Sequence, residues 1–336
     1  MNKFSVLEHL RREVKKIKPK YSFDCRSFKE FIAWRSNLKN KLIELLRIKD
    51  NLSENRMLKS KIVLREEYND YFLEKIEISS FDNFVFPAYL LIPKNLNKDG
   101  KAILCFHGHG RGKKDVCGIV SNEKERQMYI SPLNYDYGYK FAKRGYIVLA
   151  PDGRCFGETT PLGENCTWMF CSFLLIGKTM VGLRILDGIK CIDYLIARKE
   201  VNPEKIGCMG LSWGGTATLY LSAIDERIKA ACISGYFDSF KDMLMERGCC
   251  PCQYIPDIYL YADLPDITGL IAPRPLLIEY GKNDPLYTYS EVIKAYNHLK
   301  KIYKIAKAEK NLYIDIFEGA HQFSGKLTFD FFESNL

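Results

Sequence analysis

The pentapeptide Gly210-Leu211-Ser212-Trp213-Gly214, followed by Gly215, constrains this chain more than any other stretch. It lies between an apolar run at 205–210 that reads as a buried strand and a segment at 214–223 that reads as a helix. A chain that turns sharply from strand into helix brings the two backbones together, and small residues two places on either side permit that approach. The turn holds the central serine in a strained conformation with its hydroxyl exposed, the geometry of a nucleophile elbow.

From residue 100 onward the same rhythm of strand and helix continues. Strands are expected at 102–106, 146–150, 205–210, 230–235, 275–281 and 312–317, with helices at 179–198, 214–223 and 290–305. This alternation predicts an α/β fold, a mostly parallel central sheet with helices on both faces. Ligands in such sheets bind beyond the carboxyl ends of the strands. Three further strands are expected at 61–66, 71–78 and 84–92, the last two joined by the turn residues 79–83. Residues 1–60 read as a basic, helical N-terminal extension. Ser27 and Glu30 form a capping box there, and apolar residues recur at helical spacing from Phe28 to about Ile48. Residues 61–336 read as the catalytic domain. Residues 236–268 fall between two strands as an excursion placed to cap the site. Its Tyr236, Phe237, Tyr254, Ile255, Tyr259 and Tyr261 either line an acyl or sugar pocket or pack against the N-terminal section.

A serine hydroxyl is a weak nucleophile and needs a base. The histidines are His9, His107, His109, His298 and His321. His321 follows the last expected strand and is the best base by position. His298 falls inside an amphipathic helix, and His9 sits in the basic arm. His107 and His109 lie in a glycine-rich loop after the 102–106 strand, suited to shaping an oxyanion hole. The base needs an orienting carboxylate, and Asp284, just after the 275–281 strand, is favoured over Asp238 and Glu279. The order Ser212, Asp284, His321 is the Ser…Asp…His order of α/β-hydrolases. The expected oxyanion donors are the backbone N–H groups of Trp213 and His109.

The motifs His107-Gly108-His109-Gly110-Arg111-Gly112, Pro151-Asp152-Gly153-Arg154-Cys155-Phe156-Gly157-Glu158, Gly281-Lys282-Asn283-Asp284, the elbow and His321 together resemble the α/β-hydrolase superfamily. Within it the chain looks like the dienelactone-hydrolase and acetyl-xylan-esterase-like branch, over about residues 70–330. The resemblance implies an eight-stranded, mostly parallel sheet, a serine hydrolase mechanism and no cofactor or metal. Dienelactone hydrolases proper carry a cysteine nucleophile, so Ser212 turns the expectation away from dienelactone itself. The N-terminal extension resembles those of some esterases and peptidases of the superfamily.

Several other readings fall away. Apolar residues make up 47% and charged residues 27%, which excludes a disordered or collagen-like chain. The net charge of +9 is concentrated early. Residues 1–65 hold 18 Lys/Arg against 7 Asp/Glu, a balance of +11, and the remainder holds 32 against 34, a balance of −2. No recognition element accompanies this stripe, so it reads as a solvated face or arm, without a nucleic-acid partner. Residues 1–20 contain no continuous apolar core of a leader, and no run suits a membrane span. The twelve cysteines are therefore expected as reduced thiols in a cytoplasmic protein. Gly108–Lys113 fails both phosphate-binding glycine patterns. Cys249 and Cys252 form a C-x-x-C spacing with no second ligand pair in view. Arg154 either holds active-site loops through carboxylates or meets a substrate. The expected reaction is hydrolysis of a small-molecule ester. A short-peptide peptidase of prolyl-oligopeptidase type and a non-catalytic ligand-binding homologue are the alternatives. The former would lack its propeller, because about 95 N-terminal residues are too few for several blades.

Overall fold

Nine strands share one sheet in the computed structural model, which describes residues 4–54 and 57–336. They are β1 (Ser60–Glu67), β2 (Tyr71–Ser79), β3 (Val85–Pro93), β4 (Ala102–Phe106), β5 (Ile147–Pro151), β6 (Ile206–Leu211), β7 (Ala230–Ser234), β8 (Leu276–Gly281) and β9 (Leu312–Phe317). Their spatial order is β1-β2-β3-β5-β4-β6-β7-β8-β9. β1, β2 and β3 form an antiparallel meander, and β3 runs antiparallel to β5. Every other neighbouring pair is parallel. The residue pattern gave nine strands and the resemblance eight; the sheet has nine. β1 lies at the edge, exposed along its whole length, with β2 as its one neighbour in the strand order.

β4 to β8 are buried at every residue. Helices cover both faces, which is why these strands read as continuous apolar runs rather than alternating ones. One face carries the helices Phe28–Leu45, Met180–Ile196 and Trp213–Ile224. The other carries Tyr137–Ala142 and Thr328–Asn335, with Phe141, Phe331 and Phe332.

The N-terminal extension is part of this core. Phe31, Trp34, Leu38, Leu42 and Leu45 are buried in the same cluster as the helix after β6. Each such side chain contributes about 2 kcal/mol on burial. The change at residue 60 is one of secondary structure within a shared core. Ser27 caps the helix by accepting from the Glu30 N–H at 3.2 Å, while the Glu30 carboxylate reaches back to the Arg26 N–H at 2.7 Å. The helix ends at Leu45, a little short of the expected Ile48. In the basic arm, Val6–Val14 is a helix, and Arg12, Lys15, Lys16, Lys18 and Lys20 are exposed. The arm is nonetheless docked. Arg11 pairs with Glu246 at 2.6 Å, and the Lys20 and Tyr21 N–H groups donate to the Leu260 and Tyr261 carbonyls.

Glu246, Leu260 and Tyr261 belong to the excursion, which runs between β7 and β8 as expected. Its aromatic residues divide, and Tyr259, half-buried, lines a cavity with Ser22, Lys241 and His298. Tyr236, Phe237 and Ile255 are buried in the core, Tyr254 donates its hydroxyl to the Leu244 carbonyl, and Tyr261 stacks on Tyr21. Among the described residues no single helix is long and apolar enough to cross a membrane.

Candidate active site

β6 ends at Leu211 and the next helix begins at Trp213, leaving Ser212 alone in the turn. Its φ is 62° and ψ −120°. A non-glycine residue held there stores about 1–3 kcal/mol of strain. Two backbone bonds hold it: Ser212 N–H donates to the Ser234 carbonyl at 2.9 Å, and Thr216 N–H donates to the Ser212 carbonyl at 3.0 Å. The flanking glycines are required sterically. A Cβ on Gly210 would lie 2.7 Å from Gly214 Cα, and one on Gly214 would lie 2.9 Å from the His107 carbonyl oxygen. Trp213 opens the helix, so its N–H has no acceptor within that helix.

β8 delivers Asp284 and β9 delivers His321. His321 Nδ1 lies 2.6 Å from Asp284 Oδ2, and Asp284 Oδ1 accepts the Leu286 N–H at 2.9 Å. Asp284 is buried, with 4% of its surface exposed. With Nδ1 engaged, the base nitrogen that remains to His321 is Nε2. Gly235 fixes how near this pair stands to the elbow. A Cβ there would touch Leu211 Cδ1 at 3.0 Å and His321 Cε1 at 3.1 Å. One glycine's width therefore separates the imidazole from the residue before Ser212.

The structure pairs His321 with Asp284 and sets the imidazole beside Gly235 and Leu211, the latter next to Ser212, and it gives the rival carboxylates other work. Glu279 is fully buried and accepts four hydrogen bonds: from Ser234 Oγ at 2.6 Å, Thr328 Oγ1 at 2.7 Å, and the Ser324 and Gly325 N–H groups at 2.9 and 3.2 Å. Burial still pushes its pKa up against those donors. It pins the loop that carries His321. Asp238 accepts the Ser239 N–H at 2.7 Å, and its Oδ2 is buried without a partner among the described residues. Burial, reinforced by Asp242, pushes Asp238 up to about 8.

The loop after β4 packs directly on the elbow. A Cβ on Gly108 would lie 3.1 Å from Ser212 Cβ. Gly108 N–H donates to the Tyr135 hydroxyl, which leaves the following N–H, that of His109, as the loop's candidate oxyanion donor. His107 is buried, and burial lowers its pKa to about 4. Its Nε2 accepts the Gly153 N–H at 2.9 Å while Nδ1 faces the Gly108 carbonyl at 2.6 Å, so the neutral ring ties this loop to the one after β5. The His109 ring is exposed and lies in hydrogen-bond reach of Cys166 and Cys252. His298 pairs with Asp266 at 2.7 Å, the structural role expected of it.

Arg154 holds loops. It forms paired bonds to Asp187 and to Asp82, all at 2.8 Å. Lys113 is buried between Asp152 and Glu158, each at 2.6 Å, so its ammonium is not offered to a phosphate. Three residues escaped the sequence reading. Tyr135 and Tyr137 support the β4 loop, the latter donating to the Phe106 carbonyl. Arg184 is buried, donates to the Arg154 carbonyl, and lies over the Trp213 ring at 4.4 Å. None sits in a motif; the apolar spacing of residues 179–198 could have flagged Arg184 as a cation on a helix whose surroundings are apolar.

Three comparisons bear on this arrangement. A sequence model of the Abhydrolase family matches residues 4–322. YtaP of Bacillus subtilis, named as a candidate hydrolase, is 28% identical over 269 residues, covering 77% of this chain and 86% of its own. A solved structure from Bacteroides fragilis, named a candidate acetyl xylan esterase, superposes with a TM-score of 0.77 at 24% identity, covering 94% of this chain and 83% of that one. An acetyl xylan esterase from Paenibacillus sp. R4 superposes with a TM-score of 0.62 at 17% identity, covering 94% and 98%. At these identities the solved structures establish a shared fold.

Proposed function

The chain belongs to the Abhydrolase family, and from that premise we propose that it hydrolyses carboxylic esters through Ser212, His321 and Asp284. The observation that carries the reading is the 2.6 Å bond between His321 Nδ1 and Asp284 Oδ2, set beside a serine at φ 62°. Asp284 holds the imidazole in the tautomer that leaves Nε2 free to take a proton, and it stabilises the imidazolium once formed. His321 removes the Ser212 hydroxyl proton as Oγ attacks the ester carbonyl. The N–H groups of Trp213 and His109 donate to the tetrahedral oxyanion. The C–O bond to the alcohol breaks, and the alcohol leaves with the proton from His321. Water then attacks the acyl-enzyme with His321 again as base, and the acid departs from Ser212.

The acyl group we propose is small, acetate before longer chains. Two observations support it. Tyr236 and Phe237, the residues of the excursion that follow β7, are buried in the core, and the relatives in fold include proteins named as acetyl xylan esterases. The proposed location is the cytoplasm, which suits twelve cysteines that are all free thiols.

The test is hydrolysis of p-nitrophenyl esters of increasing acyl length beside a Ser212→Ala control. Acetate should turn over fastest, and the control should lose the activity. Folded protein that turns over no ester, or a control as active as the parent, would remove the reading.

A further inference from the structure

A second group of side chains lies beside the β4 loop, and ester hydrolysis makes no use of its chemistry. We propose that His109, Cys166, Cys250 and Cys252 bind a structural zinc ion that fastens the excursion and the helix Cys166–Leu175 to the β4 loop. One ligand atom from each residue lies within 4.8 Å of all the others.

The donor set selects the metal. Three thiolates and one imidazole make a closed tetrahedral Cys3His set, the composition of structural zinc sites. Soft sulfur ligands disfavour magnesium and calcium. The spacing fits as well. Cys166 Sγ lies 3.0 Å from Cys250 Sγ, which lies 3.2 Å from Cys252 Sγ. Both separations exceed the roughly 2.05 Å of a disulfide bond. Both fall short of the edge, about 3.8 Å, of a tetrahedron with Zn–S bonds of about 2.3 Å. The sulfurs need to part by less than about 1 Å to admit the ion.

Charge supplies an independent argument. Three thiolates around Zn2+ leave one negative charge. The Arg184 guanidinium, itself buried, donates Nη1–H to Cys252 Sγ at 3.2 Å, while its other nitrogens are fixed on the Arg154 carbonyl. A cation held rigidly on a ligand sulfur is the kind of outer partner that orients metal thiolates. On binding, the ion displaces the thiol protons to solvent, and nothing is oxidised or reduced.

The local packing is light: Met169, Phe170 and Phe173 rest on the core only partly buried. None of the ten residues of Cys166–Leu175 is fully buried, and Trp168 and Leu175 are exposed. Cys166 is its first helical residue, so a bond there would anchor the helix at its start. The motif in the sequence is not the C-x-x-C pair. Cys249 stands aside, its sulfur accepting from Gln253 Nε2 at 3.0 Å. Cys250 and Cys252 are the local pair, and their partners are 84 residues away at Cys166 and in the β4 loop at His109.

The test uses the full chain, produced with added zinc under reducing conditions, and is independent of any hydrolase activity. Metal content is measured by mass spectrometry, the melting temperature is compared before and after chelation, and cobalt(II) is then exchanged in. The expected result is one zinc per chain in the parent and in Cys249→Ser. Cobalt should give thiolate charge-transfer bands and tetrahedral ligand-field bands. Chelation should lower the melting temperature by about 5 °C. Cys166→Ser and Cys252→Ser should each reduce zinc retention by about tenfold or more. If either variant fails to fold, the cobalt spectrum of the parent decides. The inference is overturned by reduced parent protein that retains no zinc and whose melting temperature ignores it, by cobalt bands without thiolate character, or by Cys166→Ser retaining zinc as the parent does.

Discussion

The Ser212–Asp284–His321 group and the His109–Cys166–Cys250–Cys252 group both gather residues from distant parts of the chain, but by different means. Ser212, Asp284 and His321 follow β6, β8 and β9, which lie in one run of parallel neighbours. The ladder hydrogen bonds set where each strand ends, and glycines at 210, 214, 235 and 281 let the loops close over those ends. The second group takes only His109 from a strand end. Its other members come from the start of a half-exposed helix and from an irregular excursion. A site on strand ends inherits its geometry from the sheet, whereas one built in an excursion needs a cross-link of its own. Chemistry should therefore fail without unfolding in the first region, and local stability should fail in the second.

Ser212→Ala tests the first half of that contrast most severely. It should lower kcat by about 10^5-fold or more, with the melting temperature unchanged. A loss of folding with the activity would break the contrast. Asp284→Asn should lower kcat by about 10^3- to 10^4-fold, because the wrong imidazole tautomer is then favoured. Asp238→Asn should leave kcat within about threefold of the parent, since Asp238 has no bond to the base. The reverse ranking, read from steady-state kinetics of both variants, would transfer the orienting role to Asp238.

Glu279→Ala marks the boundary between the two kinds of failure. It leaves four donors without their carboxylate, the Ser234 and Thr328 hydroxyls among them buried, and stability should fall by about 3 kcal/mol in urea unfolding. Because those donors include the loop after His321, kcat should fall by about tenfold as well. Unchanged stability would mean that the loop is held elsewhere.

The smallest expected effect is one of pH. Burial and Asp242 raise Asp238 to about 8 in the folded chain, above its unfolded value. The folded state thus keeps a proton that the unfolded state releases between about pH 4 and 8. Stability from this group is full below that window and is lost as the pH rises through about 8. Asp238→Asn imitates the protonated form, so its melting temperature should fall by about 2 °C less than the parent's between pH 5 and 8. Parallel curves would show that Asp238 is ionised throughout.

The sequence announced what the backbone ladder controls. Apolar runs located all nine strands to within a residue or two, and the elbow, Asp284 and His321 were readable because each directly follows such a run. Rules of this kind end where regular structure ends. The C-x-x-C spacing pointed to Cys249, but the turn at Pro251–Gln253 presents Cys250 and Cys252 instead. Cys166 gave no signal, and the apolar spacing around Arg184 gave only a faint one, because their roles depend on how the excursion folds back. Tyr236 and Phe237 read equally as pocket or core, and core packing decided between them. The eight strands implied by the resemblance fall one short of the nine, whereas the residue pattern had supplied a strand at 61–66, where the exposed edge strand β1 lies.

The most direct measurement is labelling of the folded protein with a fluorophosphonate, followed by peptide mass spectrometry. One adduct is expected, on Ser212, absent in Ser212→Ala and strongly slowed in His321→Gln. Folded parent protein that takes no label, or takes it at another residue, would contradict the role given to Ser212.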